Sequence, residues 1–342
     1  MLFRSFDFPK NPTLTDLIRT ACDVVFTGPP ESARPLWHAD PTHLPQILDA
    51  AHATGLRVHP DLTAQAEAFS AETARTRALA SEALNLRDDD ALGLVSAPPT
   101  PGLRTPLLPH QALPAVLWPL TRKLLLADEQ GLGKSIEAIS VILAHRATLR
   151  RVVIVCPSGL TATWTAEFQE HAPGALHVTV LEGEQPSDVP AHTDVCVVGW
   201  SVLHAWEPTL SEWTPDLLIV DEGQLGKARG GPWGSQRGEA AQQLAATVRL
   251  HGAGGGVIVM TGTPIDTRPL DGLALLDLLG ETYAFGGPWV YRQRYCAPTT
   301  VRRRGQRPIT TYQGASHTRE LHERLDAHPW FVRRTKIGRA HV

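Results

Sequence analysis

The sequence predicts an α/β fold, a parallel sheet flanked on both faces by helices, with a small α+β module ahead of it. Three observations predict it. Short β-branched runs recur, Arg151-Val-Val-Ile-Val-Cys-Pro157, Asp194-Val-Cys-Val-Val198, Asp216-Leu-Leu-Ile-Val-Asp-Glu222 and Val257-Ile-Val-Met-Thr-Gly-Thr-Pro264, with helical or turn-rich segments between them. Their apolar residues are continuous rather than alternating, which marks strands buried on both faces, and each run ends in polar or small residues. Next, Leu124-Leu-Leu-Ala127 reads as a buried strand, Asp128 to Gly133 as a tight glycine-bearing loop, and Lys134 onward as a helix with Ile136, Ile139 and Ile142 on one face. Finally, Ser96-Ala-Pro-Pro-Thr-Pro-Gly102 is a linker by composition and separates this rhythm from what precedes it.

In chain order, residues 1–95 form the accessory module and a connecting helix. Asp40-Pro41 followed by His43 to Ala53 and Gly55 reads as a short capped helix, and Leu56-Arg-Val-His59 as a strand stopped by Pro60. Thr63 to Asn85 is alanine-rich and helical, with Phe69, Leu79 and Leu84 available for packing. Trp37 is more often a core anchor than a base-stacking platform. Residues 96–106 are the linker, and the α/β lobe runs over 107–336. A chain of 342 residues with 42% apolar content can bury one large core or two modest ones.

In parallel sheets ligands gather at the carboxyl ends of the strands, so the polar tail of each strand is a site candidate. The loop after Leu124–Ala127 has the layout of a phosphate cradle. Gly131 and Gly133 let backbone N–H groups approach an anion at a helix N-terminus, Lys134 can reach terminal phosphates, and the Ser135 hydroxyl can ligate magnesium. The general pattern G-x-x-x-x-G-K-[ST] fails at its first glycine, which falls on Asp128; an ordinary strand-turn-helix corner with a solvated lysine is the alternative. Asp221-Glu222 closes a later strand. An acidic residue there can hold magnesium and its neighbour can orient and deprotonate an attacking water, although such a pair alone is usually a helix-capping carboxylate.

Charge and cysteine usage bound the partners. The formal net charge of −3 excludes a uniformly basic coat, but from Gly286 to Val342 twelve Lys or Arg face three Asp or Glu, including Arg302-Arg303-Arg304 and Arg333-Arg334. A polyanion near that end, or a solvated basic face, accounts for the excess. Cys22, Cys156, Cys196 and Cys296 never form C-x-x-C, so neither a zinc ribbon nor a disulfide framework is indicated, and a reducing cytoplasm suits them. No run approaches the roughly 18 apolar residues of a membrane span.

With these motifs in order, the sequence resembles the Swi/Snf-type ATPases of helicase superfamily two over Leu107 to Lys336, about two thirds of the chain. Leu126-Ala-Asp-Glu-Gln-Gly-Leu-Gly-Lys-Ser135 is similar to that family's phosphate loop, which also carries Asp-Glu where the general pattern has glycine. The resemblance implies a RecA-like lobe with ATP and Mg2+ as ligands. It implies that Gln111 reads the adenine edge, that Asp128, Glu129, Gly131, Leu132, Gly133, Lys134 and Ser135 bind the nucleotide, and that Ser135 and Asp221 hold the metal. Lys134, Asp221 and Glu222 would carry catalysis. Val155-Cys-Pro-Ser158 with Trp164, and Val198-Gly-Trp-Ser201, are similar to segments that touch the DNA backbone. Ser158, Trp164, Gly199, Trp200 and Lys227 are therefore the expected contacts to double-stranded or forked DNA. Asp221-Glu222-Gly223-Gln224 resembles the DEAH-like box, with Gln224 in place of histidine, and Thr261-Gly262-Thr263-Pro264 the motif that couples hydrolysis to lobe movement. Asp266 stands where asparagine is common. Pro269–Leu276, Arg294-Tyr-Cys296, Tyr312–Ser316 and Phe331-Val-Arg-Arg-Thr-Lys336 look most like the annealing-helicase branch.

The resemblance also implies a second RecA-like lobe that supplies arginine fingers, and Lys336 falls where the family crosses into it. Ile337-Gly-Arg-Ala-His-Val342 reads like a translated sequencing-library adapter, which makes a truncated reading frame the expectation. The favoured reading is the first motor lobe of a double-stranded DNA translocase or annealing helicase. Two others stand beside it: a motor subunit of a restriction or phage-defence system, and a non-enzymatic nucleotide- and DNA-binding module.

Overall fold

The computed structural model describes residues 25–26, 37–38, 98–226, 235–251, 255–262, 269–301 and 309–334. The chain divides into two units, residues 1–79 and 80–342. In the first, two short strands, β1 (Val25–Phe26) and β2 (Trp37–His38), pair antiparallel with Phe26 opposite Trp37. The helices and strand expected over 43–53, 56–59 and 63–85 lie outside the described residues, as do 337–342.

The second unit is built on a seven-stranded parallel sheet. Its strands are β3 (Lys123–Leu126), β4 (Val152–Cys156), β5 (Val178–Leu181), β6 (Val195–Gly199), β7 (Leu217–Asp221), β8 (Gly256–Met260) and β11 (Phe331–Val332), in the order β11-β3-β8-β7-β4-β6-β5. The β-branched runs became strands for the reason their pattern indicated. Every residue of β4, β6 and β8 is buried, because both faces of the sheet are covered. Successive side chains point to opposite faces, so Val152, Ile154 and Cys156 enter one core while Val153 and Val155 enter the other.

The first core is closed by α1 (Pro109–Thr121), α2 (Lys134–Ala144) and α3 (Thr161–His171), through residues such as Trp118, Ile139 and Phe168. The second is closed by α4 (Leu203–Glu212), α5 (Gln236–His251), α6 (Pro269–Leu278), α7 (Gly287–Tyr295) and α8 (Thr318–Asp326), through Trp206, Leu244, Leu275, Tyr291 and Leu321. A hairpin of β9 (Thr299–Val301) and β10 (Ile309–Thr311) lies between α7 and α8 in the chain. Among the described residues no helix is long and apolar enough to cross a membrane.

Two features place the site. The described part of the proline-rich stretch, from residue 98, holds no helix or strand and is anchored to the lobe. Arg104 N donates to the His171 carbonyl at 2.7 Å, Leu103 packs on the first core, and Gly102, at φ +88°, leaves no room for a Cβ against Ala175. At the other end, β11 adds to the edge of β3. Leu125 N and Ala127 N donate to the Trp330 and Val332 carbonyls at 2.7 Å, and Glu129 N donates to the Arg334 carbonyl at 3.1 Å. Arg334 is thereby delivered beside the loop that follows β3.

Candidate nucleotide-binding site

The loop between β3 and α2 turns on two glycines. Gly131 and Gly133 have φ of +82° and +96°, where any other residue is strained. A Cβ on Gly133 would also collide with the Gln111 amide. Lys134, the first residue of α2, folds over the loop and donates to the Asp128 carbonyl at 2.6 Å and, at 3.4 Å, to that of Glu129. Gln111 receives the Leu108 N–H at 3.0 Å and donates to the Leu132 carbonyl at 3.2 Å. A primary amide has two N–H donors and two lone pairs, so one of each is left for a heterocycle edge.

Gln111, Gly131, Gly133, Lys134, Ser135, Asp221 and Glu222 all line one cavity of about 610 Å³. Asp128, Glu129 and Leu132 do not line it. Leu132 is buried behind the loop, and Glu129 accepts from Lys134 through its carbonyl. Asp128 is fully buried. Its Oδ2 accepts from Arg334 Nη1 at 3.0 Å, and the same nitrogen reaches Glu137 Oε1, also fully buried, at 3.4 Å. Burial raises the proton affinity of both carboxyls and raises that of Glu137 furthest, since Asp128 stands beside it. Neither Glu137 nor Arg334 was read as a site residue. The legible signal for Glu137 was a lone charge in Ile136–Leu143, a run that is otherwise uncharged and entirely buried.

Across the cavity, β7 ends in Asp221 and Glu222. Asp221 Oδ2 accepts from Trp164 Nε1 at 3.1 Å, its Oδ1 from the Glu222 N–H at 3.0 Å, and its carbonyl from Trp200 Nε1 at 3.0 Å. Desolvation raises the Asp221 pKa from its ordinary value, opposed by the Trp164 hydrogen bond. Glu222 sits at φ +49°, a left-handed conformation that strains a residue with a Cβ by about 1 kcal/mol. Its side chain accepts from the Gln224 amide, whose oxygen has no partner among the described residues. Thr261 follows β8, with its N–H on the Leu126 carbonyl at 3.0 Å, and Gly262 faces Gln130 of the loop. Thr263 and Lys227 lie outside the described residues.

The far wall holds residues the motifs did not single out as ligand-facing. Thr105, Glu167 and His171 line the cavity with Gln111. Thr105 Oγ1 is 2.8 Å from His171 Nδ1, and His171 Nε2 is 3.3 Å from Glu167 Oε2, a chain that ties the proline-rich stretch to α3.

The expected backbone-contacting residues separate into two kinds. Ser158 is exposed at the end of β4, with its hydroxyl 2.7 Å from that of Ser201. Gly199 is buried against it, where a Cβ would meet Ser158 Oγ at 2.7 Å. Trp164 and Trp200 are each only 2% exposed, and their indole N–H groups are committed to Asp221. Neither ring presents a surface to a polyanion in this structure. The C-terminal cation excess is also partly paired with acids of the chain itself. Arg294 forms a forked pair with Glu320, with Nε at 2.8 Å and Nη2 at 2.5 Å, and Arg334 serves Asp128. Arg302, Arg303 and Arg304 lie outside the described residues.

Known proteins are similar to this chain in sequence and in fold. The chain is 29% identical over 231 residues to the human (Homo sapiens) DNA annealing helicase and endonuclease ZRANB3, covering 65% of this chain and 20% of that protein. It is 30% identical over 218 residues to the RNA polymerase-associated protein RapA of Actinobacillus succinogenes, covering 58% and 21%. The chain thus spans about a fifth of the length of the curated relatives it matches. Its fold is similar to the Sulfolobus solfataricus SWI2/SNF2 ATPase core in complex with dsDNA, with a TM-score of 0.56 and 20% identity over 72% of this chain and 48% of that one. Residues 65–337 match the model of the SNF2-related domain, and the chain belongs to that family.

Proposed function

We propose that the chain is the nucleotide-binding lobe of an ATP-dependent double-stranded DNA translocase of the annealing-helicase kind, working with a second RecA-like lobe. The observation that carries it is the convergence of Lys134, Ser135, Asp221 and Glu222 on one cavity, on a fold of this family. Similarity to an annealing helicase and to a core bound to dsDNA supports the finer reading. The donor set suits magnesium, since Ser135 offers a hydroxyl and Asp221 a carboxylate, both hard oxygen ligands. Bound there, magnesium would neutralise charge on the β- and γ-phosphates.

The chain's own residues do the rest. Lys134 exchanges its loop carbonyls for phosphate oxygens, and the N–H groups of the Gly131–Gly133 turn cradle the anion at the start of α2. Glu222 orients the attacking water and takes its proton, held by the Gln224 amide. Gln111 reads the base edge with its remaining donor and acceptor. Gln224, Thr261, Gly262 and Thr263 couple hydrolysis to lobe movement, and Ser158, the Gly199 backbone and Lys227 meet DNA phosphates, contacts that weaken with salt.

The test is ATP turnover by the chain joined to its second lobe, with duplex, forked and single-stranded DNA. DNA should stimulate it, and Lys134→Ala or Glu222→Gln should lower it by about 10² or more. Stimulation by single-stranded RNA alone overturns the reading. Nucleotide binding without turnover, in the presence of both lobes, would favour the non-enzymatic module.

A further inference from the structure

The two indoles expected to touch DNA are instead aimed at Asp221. Trp164 reaches it from α3 and Trp200 from the turn after β6, so its anchors come from two different elements. Neither indole can swing easily. Trp164 packs against Phe168, with ring centroids 6.3 Å apart, and both are buried in the first core. Trp200 donates its backbone N–H to the Cys156 carbonyl at 2.9 Å, and its ring lies against Gly226, where a Cβ would come within 3.2 Å.

An indole N–H is a donor only and carries no charge. A carboxylate oxygen has two lone pairs, so Oδ2 keeps one after accepting from Trp164, and Oδ1 keeps one after accepting from Glu222 N–H. Asp221 lines the cavity, where those lone pairs are available to a cation. Outer donors of this kind orient a metal-binding carboxylate without neutralising it.

We propose that Trp164 and Trp200 are positioning residues that hold Asp221 for a divalent cation. Trp164 fixes the carboxylate, and Trp200 fixes the backbone from which it projects. This rests on the reading of Asp221 as a magnesium ligand, and the experiment keeps the two claims separable.

A fluorescent ADP analogue is titrated into the full chain across a range of MgCl₂ concentrations, and also in EDTA. Trp164→Phe keeps an aromatic ring in the core while removing the donor together with part of the ring volume. It should raise the magnesium concentration at half-maximal binding by about tenfold, with affinity in EDTA close to that of the parent. Trp200→Phe acts on a neutral carbonyl and should shift the same midpoint less, by about twofold to threefold. In an Asp221→Asn background neither substitution should move it further. An unshifted midpoint in Trp164→Phe, or the same shift persisting in Asp221→Asn, overturns the proposal while leaving the nucleotide site standing. A parent chain whose ADP binding ignores magnesium overturns both.

Discussion

Two aspartates flank the cavity at strand ends one strand apart, and they are held in opposite ways. Asp128 follows β3, is fully buried, and faces the Arg334 guanidinium at 3.0 Å with Glu137 beside it. Asp221 ends β7 and, among the described residues, its carboxylate accepts hydrogen bonds only from neutral donors, the Trp164 indole and the Glu222 N–H. Desolvation raises the proton affinity of both. The difference lies in what each has left to offer. A carboxylate cancelled by a fixed cation is scaffold: it ties the β3 loop to the edge strand β11 and has little charge for a second partner. A carboxylate oriented by neutral N–H groups keeps its charge for an incoming ion. Of these two aspartates, Asp221 is the one that lines the cavity.

The comparison breaks most visibly at Arg334. Arg334→Met keeps most of the side-chain volume and removes the cation, leaving two buried carboxyls to face each other. We expect a loss of about 3–5 kcal/mol in unfolding free energy at pH 7, read by denaturant titration. Replacing the set together, Asp128→Asn with Glu137→Gln and Arg334→Met, should recover most of it, because the charges then leave as a group. An unchanged denaturation midpoint in the single variant would show that Arg334 does not compensate Asp128.

Asp221→Asn is the matching change on the other side, and its effect should fall on chemistry rather than folding. The amide retains the shape but can neither bind a cation as strongly nor hold its charge, so turnover by the chain joined to the proposed second lobe should drop by about 10²–10³. Stability should hold or rise at neutral pH. Because burial lifts the folded-state pKa of Asp221, its contribution is favourable while it is protonated and is lost as pH climbs through that raised value. A variant that loses activity only because it melts would contradict this assignment.

How much of this was legible depended on the range of each signal. The strands were, since a continuous β-branched run is a local property, and so was the loop, since glycine at +82° and +96° is demanded by the turn itself. β5 and β11 were not: one is half-buried at the sheet edge and the other is two residues long, too short for a period to show. Trp164 was placed on DNA because its segment resembles one that contacts it. Yet Trp164 and Phe168, four apart in an otherwise polar helix, already marked a buried face. What no local pattern carries is the β4–β7 pairing, Val155 beside Val220, which helps bring α3 within reach of Asp221. Arg334 was hidden likewise, since a double arginine reads as a solvated face until its buried acids are found 206 and 197 residues earlier.

The finest discrimination between the two aspartates lies in pH, through Glu137. Its folded-state pKa is raised well above the ordinary 4.5 by burial and by Asp128, while the guanidinium sits closer to Asp128 than to Glu137. Of the two acids, Glu137 is therefore the one whose proton affinity is raised further. A raised folded-state value means that its contribution is fully present below about pH 4.5 and is lost as pH rises through the higher folded value. Glu137→Gln cannot ionise, and its amide can still donate toward Asp128. Parent and variant should be similarly stable near pH 4 and diverge as pH rises, the variant becoming the more stable by on the order of 1 kcal/mol in the alkaline range. Denaturant unfolding at a series of pH values measures the divergence. Parallel curves would mean that Glu137 is ionised throughout and shares Arg334 with Asp128 as an equal, in which case the buried triad carries a net negative charge. Asp128 would then keep charge uncancelled, and the contrast with Asp221 would have to rest on access to the cavity alone.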